Sequence, residues 1–220
     1  MLTKDFVQKT FFPQQGVCHL CGRWSNSGGR VCLRCQLALE SRRMHGLFLP
    51  PLGATLRCCL AVWQFQEPAR KLIHQLKYGG NPGLAQFIGE QMSCTLACQK
   101  ELLSDIDVLV PVPLHETRLQ ERGYNQALLL AKEISARTGL ALAPEAIVRT
   151  RVTETLVHST RTERFNAIHS AFQACPEQVE GRHILLIDDV FTTGATAMAC
   201  AIALLEAGAQ DVSVLTACRA

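Results

Sequence analysis

The sequence predicts an α/β protein, a mostly parallel sheet with flanking helices, with a small cysteine ribbon ahead of it. Three observations lead there. Four short runs, Leu60–Phe65, Ile106–Val110, Ile184–Ile187 and Val212–Thr216, are rich in β-favouring apolar residues. The third contains no polar residue at all, as befits a strand covered on both faces. Segments with helical character separate these runs, and strands alternating with helices give parallel neighbours joined by right-handed crossovers. Upstream, Cys18-x-x-Cys21 and Cys32-x-x-Cys35 form two knuckles.

Each knuckle presents two thiolates to one tetrahedral ion. Ser25, Asn26, Ser27, Gly28 and Gly29 between them give a flexible link that lets the second fold back onto the first. Four sulfur ligands make a closed structural Zn²⁺ site, with an iron–sulfur cluster or a redox pair as the other occupants of such spacing. His19, inside the first knuckle, is expected to be exposed and not a ligand. The chain has eleven cysteines, an odd count that without a secretory leader favours reduced thiols. Cys58, Cys59, Cys175, Cys200 and Cys218 read as small buried hydrophobes. Cys94 and Cys98 have the spacing of one helix face, on which a metal is the less favoured reading. The basic, polar stretch Glu40 to His45, followed by Pro50, Pro51 and Gly53, marks a boundary. A ribbon domain is therefore expected over 1–50 and an α/β domain over 51–220.

Within the second domain, Glu67 to Tyr78 places Leu72, Ile73 and Leu76 on one helix face, and Gly79 to Gly83 ends it. Leu84 to Leu103 reads as one long helix. The strand after it stops at Pro111, a loop runs from Pro111 to Gln126, and a helix over Ala127 to Arg137 ends at Gly139. From Ile147 to Asn166 the chain is too polar and Arg-rich for a core element. The last unit is the strand at 184–187, a turn, a helix over Ala197 to Ala207, Gly208 and the final strand.

The 220 residues suffice for one sizeable core plus an appendage, since domains run to ~100–150 residues. A net charge of +3 does not by itself announce a nucleic-acid binder. Lys4, Asp5 and Lys9 interrupt the opening residues, and no run approaches the ~18 apolar residues of a membrane span. A soluble cytoplasmic protein is expected.

The stretch from Ile184 to Thr196 carries the most chemistry. Asp188 and Asp189 emerge at the strand's carboxyl end, where open α/β sheets bind ligands. Thr192, Thr193, Gly194, Ala195 and Thr196 then supply hydroxyls, a close-approach glycine and the N–H groups of a helix start, which together suit an anion. Carboxylates repel phosphate but hold sugar hydroxyls or a metal ion, so acids plus loop point to a phosphorylated ribose. The plainer account is an ordinary strand–helix connection with an N-cap. At the carboxyl end of another strand, Pro111, Val112, Pro113, Leu114 and His115 precede Arg118 and Arg122. Guanidinium forks on that edge make a pyrophosphate clamp, or else solvated arginines on a proline-bounded turn. Arg149, Arg151, Arg161 and Arg164, with Thr153 and Thr155, form either a loop that closes over a diphosphate or an exposed linker.

Apolar-apolar-Asp-Asp-apolar-x-Thr-Thr-Gly-x-Thr resembles the phosphoribosyl pyrophosphate (PRPP) motif of the type I phosphoribosyltransferases, with every position filled. Further elements are Lys77-Tyr78, Pro-Val-Pro-Leu-His, Arg122-Gly123-Tyr124-Asn125-Gln126, Arg149-x-Arg151-x-Thr153, and Arg164-x-Asn166 before Ala171-Phe172. Their order along nearly the whole chain is similar to that of the ComF family. The resemblance implies a four-cysteine zinc ribbon joined to a phosphoribosyltransferase-type domain, associated with natural competence and incoming single-stranded DNA. It further implies that Asp188 and Asp189 meet the ribose, that Thr192 to Thr196 hold its 5-phosphate, and that Mg²⁺ bridges the diphosphate. Pro113, Leu114, Arg118 and Arg122 then line the pyrophosphate side, and Arg149, Arg151 and Asp189 are the catalytic candidates.

One departure stands out: the family's usual Gln-x-x-Leu-Ser reads Leu156, Val157, His158, Ser159 and Thr160 here. That change favours a binding pocket kept for a competence role, with a helicase-like competence protein as partner, over an active transferase of nucleoside metabolism acting on an unknown acceptor. Single-stranded DNA would then meet Arg23, Arg30, Arg34, Arg42 and Arg43 on the ribbon, with Trp24 as a stacking platform. Alternatively those arginines are a solvated face and Trp24 packs against the metal site.

Overall fold

The computed structural model describes residues 16–25, 30–48, 55–150 and 171–220. Its sheet has five parallel strands, β1 (Cys59–Gln64), β2 (Val108–Pro111), β3 (Ala141–Leu142), β6 (His183–Phe191) and β7 (Asp211–Arg219), in the order β1-β7-β6-β2-β3. Side chains alternate across it as strand geometry requires. Leu60, Val62, Leu109, Leu185, Ile187 and Leu215 enter one core; Val108, Val110, Ile184, Leu186, Val212 and Val214 enter the other. The first core is covered by α2 (Ala69–Tyr78), α3 (Leu84–Ala97) and α6 (Gln126–Thr138). The second lies under α8 (Ala195–Glu206), whose buried face runs from Ala197 to Leu204. Burying each such Leu, Ile or Val contributes about 1.5–3 kcal/mol, which makes β6 and β7 the backbone of the fold. Helices α3 and α6 touch closely at Gly89, where an added Cβ would lie 2.4 Å from that of Glu133.

The expected long helix is two. After α3 the chain leaves helical geometry at Gln99 and re-enters it as α4 (Lys100–Asp105). Leu102 follows Leu96 by six residues, about 240° round a continuous helix. The break turns Leu102 into the core that Leu96 already occupies. A short helix, α5 (Glu116–Arg122), stands within the loop at 111–126, capped by His115 accepting from the Thr117 N–H at 3.2 Å and closed by Gly123 in the left-handed region. The stretch after Ile147 does contribute structure: β4 (Ile147–Arg149) pairs antiparallel with β5 (Phe172–Ala174). Between β5 and β6 lies the four-residue helix α7 (Pro176–Val179). Cys175, expected in a core, is half-buried at its start and donates to Glu177 at 3.0 Å.

The ribbon is not a separate bead. Its helix, α1 (Leu33–Glu40), leads into a segment that pairs antiparallel with the edge strand β1, through Arg43 to Trp63 and Phe48 to Cys59. This protects an edge that would otherwise offer unpaired backbone groups. Cys18, Leu20, Val31 and Leu39 share one core with Leu60, Val62 and Trp63. The boundary expected after residue 50 falls among residues outside the described ones. No helix among the described residues is long and apolar enough to cross a membrane.

Candidate functional site

Two sites take shape, a metal centre and a cleft at the carboxyl edge of the sheet. At the first, the sulfurs of Cys18, Cys21, Cys32 and Cys35 all lie within 4.8 Å of one another. The 3.8 Å between the Cys21 and Cys32 sulfurs is far too long for a disulfide. It matches the ~3.8 Å edge of a tetrahedron with ~2.3 Å metal–sulfur bonds. Burial disfavours the Cys18 thiolate, yet the backbone groups of Cys32, Cys21 and Leu20 outweigh it and bring its pKa down to about 7. The Cys32 N–H donates to that sulfur at 3.3 Å. Cys35 is pushed up by burial and by the neighbouring thiols. Four crowded thiols of which one ionises readily and another resists are relieved by a cation among them, so the donor set fits a metal ion. His19 is half-buried and bonds Asn81 at 3.2 Å, tying the knuckle to the turn after α2. Cys94 and Cys98 are exposed and, among the described residues, belong to no such cluster.

The cleft forms around the end of β6. That strand does not stop at Ile187 as expected; it runs through both acids to Phe191, and β7 extends beside it to Arg219. Alternation therefore sends the two carboxylates to opposite faces. Asp189, buried, points toward α2 and forms an ion pair with Lys77 at 2.8 Å. Asp188 is half-buried, on the α8 side, and accepts the Asp189 N–H at 2.8 Å. Burial, and then the charge of Asp189, push its carboxyl up to about 7. Buried thiols sit near both acids: Cys200 and Cys218 are raised first by burial and then by Asp188 and Asp189 respectively.

The Thr loop follows directly. Gly194 adopts φ +79°, and a Cβ there would stand 2.6 Å from the Phe191 ring. Only glycine fits, for backbone and for space. Gly194 is the N-cap of α8, and Thr193 Oγ1 accepts the Ala195 N–H at 3.4 Å. Thr192, Thr193, Ala195 and Thr196 are exposed, so the hydroxyls and first-turn N–H groups of α8 face an accessible helix start. Phe191 is held in turn by Phe48, edge to face at 5.3 Å, and Phe48 lies 4.1 Å under the Arg219 guanidinium.

The arginines divide. Arg149 is half-buried, 5.5 Å from the Phe172 ring, and its guanidinium is made less basic by burial and by Arg118 close by. Both Arg149 and Asp188 act electrostatically on Cys200, which places the two on one side of the cleft. Arg118 is exposed on α5. Arg122 is engaged elsewhere: it donates to Tyr78 Oη at 2.8 Å and to Gln126 Oε1 at 3.0 Å, with its carbon 4.8 Å from the Tyr78 ring. The rest of that motif is also structural. Tyr124 donates to the Leu76 carbonyl at 2.6 Å, and Asn125 caps α6 while donating to the Val112 carbonyl at 3.0 Å. Pro113 and Leu114 are half-buried between β2 and α5. Arg151, Arg161, Arg164 and the 156–160 segment lie outside the described residues.

On the ribbon, Arg30 donates to the Gly83 carbonyl, and Arg43 pairs with Glu40 at 2.7 Å and reaches Gln91 and Thr95 on α3. These two hold the ribbon in place, whereas Arg23 and Arg34 are exposed. Trp24 is 71% exposed, its ring crossing Gly16.

No family profile matches the chain. Individual relatives do. It is 32% identical over 209 residues to the DNA utilization protein YhgH of Escherichia coli K12, covering 93% of this chain and 90% of that one. It is 31% identical to the competence protein ComFC of Bacillus subtilis 168, covering 92% and 78%. With the competence protein F of Haemophilus influenzae the identity is 30%, covering 72% and 71%. Similarity of this extent, spanning ribbon and sheet together, means that the chain belongs to the ComF family.

Proposed function

We propose that the carboxyl-edge cleft binds PRPP with Mg²⁺, and that the protein serves the handling of incoming single-stranded DNA, a reading supported by relatives named for DNA utilization and for competence. One observation carries the pocket. A half-buried carboxylic acid at the end of a central strand stands next to a glycine-capped helix start whose N–H groups and threonine hydroxyls are accessible. Sugar hydroxyls satisfy the acid, and a terminal phosphate satisfies the helix start. Asp188 meets the ribose, while Asp189, on the opposite face and paired with Lys77, holds the end of the strand beneath it. Thr192 to Thr196 take the 5-phosphate. Arg118 and Arg149 face the diphosphate, to which bound Mg²⁺ would add charge neutralisation, and Arg122 steadies Tyr78. Zinc in the four-thiol site stabilises the ribbon. Titration calorimetry with PRPP and Mg²⁺ tests this: binding is expected, and heats unchanged in Asp188→Ala reject the assignment.

Transfer of the ribose phosphate to an acceptor is the second reading, favoured by Arg149. A guanidinium with reduced access to water stabilises charge developing on a leaving diphosphate more strongly than a solvated one; Arg151 is the further catalytic candidate that the motif supplies. Pyrophosphate release from PRPP across a panel of bases, amines and single-stranded DNA decides it. Release abolished in Arg149→Ala is expected of a transferase; no release with any acceptor leaves a binding pocket.

A further inference from the structure

Outside the cleft, two grooves of about 560 and 450 Å³ meet at Phe65, which lines both. Together they form a trough past the ends of β1 and β7 and along the outer face of α2. Arg70, Lys71, His74 and Tyr78 fall on that face at the i, i+4, i+8 spacing of one helical row and its neighbour, and all four are exposed. His74 and Tyr78 stand with ring centres 5.1 Å apart. Arg219 is at the other end, with the amides of Gln64 and Gln66 between. Among the described residues, Glu67 is the single acidic side chain lining the two grooves. It pairs with Arg70 at 3.0 Å, but both partners are more than half exposed, so a competing anion displaces it at little cost. Lys71 and Arg219 have no carboxylate partner among the described residues.

Cations interleaved with aromatic faces suit a polyanion carrying planar rings. A duplex keeps its bases stacked inside, so the rings of Phe65, His74 and Tyr78 would be of no use to it; an unpaired strand can lay its bases on them. We propose that this trough, and not the ribbon, is the surface that binds single-stranded DNA, its phosphates on Arg70, Lys71 and Arg219 and its bases against Phe65, His74 and Tyr78. The inference rests on the DNA-handling role given above and adds the surface. Lys77 lines the same groove and reaches Asp189, which sets the strand beside the cleft.

Fluorescence anisotropy with an oligothymidylate of about fifteen residues tests it on the full chain. Arg70→Glu with Lys71→Glu is expected to weaken binding at least tenfold and to flatten the log–log salt slope by about 1.4, the share of two single-strand phosphates. His74→Ala weakens it without changing the slope. Arg23→Glu with Arg34→Glu, on the ribbon, leaves affinity as it was, and a duplex of equal length binds more weakly. Wild-type affinity and slope in the Arg70, Lys71 variant overturn the trough, as does loss confined to the ribbon variant; in either case DNA handling itself stands. A wild-type chain that binds no single strand removes both. PRPP heats, unaltered in the trough variant, confirm its fold and keep the cleft reading separate.

Discussion

Lys77 Nζ stands 2.8 Å from the Asp189 carboxylate, with 23% and 9% of the two side chains exposed, and this pair straps α2 to the end of β6. The bond is sheltered, so each partner depends on the other. Removing one from such a setting typically costs 3–5 kcal/mol, because a charge is left buried alone. Lys77→Met is therefore expected to destabilise the protein by about 3 kcal/mol, and Lys77→Met with Asp189→Leu to regain most of it. Urea unfolding of the four-member cycle reads this directly. A coupling below about 0.5 kcal/mol would mean that the ions are solvated and act independently.

Asp188 gives the opposite kind of dependence. Its carboxyl is raised to about 7 by burial and by the charge of Asp189, while in the unfolded chain it titrates near ~3.9. Between those values the folded state holds the extra proton, so stability falls as pH rises through the window and the full penalty applies above it. Wild type should lose more stability between pH 5 and pH 8 than Asp188→Asn, the difference being the group's own share. Equal urea midpoints shifts in the two proteins would show that Asp188 is already ionised at pH 5. A ligand that favours the carboxylate should lessen the drop.

The sequence made four of the sheet's five strands legible because they are written mainly in β-favouring apolar residues, whereas β3, two residues long, carries too little pattern to read. Ile184 to Ile187 needed no tertiary knowledge, nor did the four cysteines, whose spacing is their function. What lay hidden was decided by contacts between distant segments. Two acids look like the end of a strand, yet β6 continues because Lys77, more than a hundred residues earlier, accommodates the buried carboxylate. For Arg149 the local sequence leaves a closing loop and an exposed linker both open, and what it does not show is Phe172, which supplies both a strand partner and a ring. The Arg122 motif reads as either a pyrophosphate clamp or solvated arginines, and the guanidinium's bonds go instead to Tyr78 and Gln126. The short helix α5 did carry a local signal, Glu116 at its start, Arg122 in its last turn and Gly123 after it, that two prolines nearby masked.

Gly194 should tolerate no side chain. Its positive φ alone costs a non-glycine residue of the order of 1–3 kcal/mol, and the Phe191 ring 2.6 Å from the added Cβ blocks relief by a small shift. Gly194→Ala is expected to lower stability by at least that amount and to abolish binding at the Thr loop. Adding Phe191→Leu clears the space but leaves the backbone term, so it should restore only part of the loss. Full recovery in the double variant, followed by thermal unfolding, would assign the whole effect to the ring.

The metal centre should matter well beyond the ribbon. Cys18, Leu20, Val31 and Leu39 pack in the same core as Trp63 and Leu72, and the segment after α1 covers the edge of β1. A closed four-thiolate site contributes folding free energy outright, here to a unit continuous with the sheet. Elemental analysis should find one zinc per chain, and Cys18→Ser should lose it. That variant, or wild type stripped by a chelator, should then melt at a lower temperature as a whole, with exposed β1 edges favouring association between chains. A sheet whose unfolding temperature ignores chelation, while only the ribbon signal changes, would show instead that the shared core is not coupled to the metal.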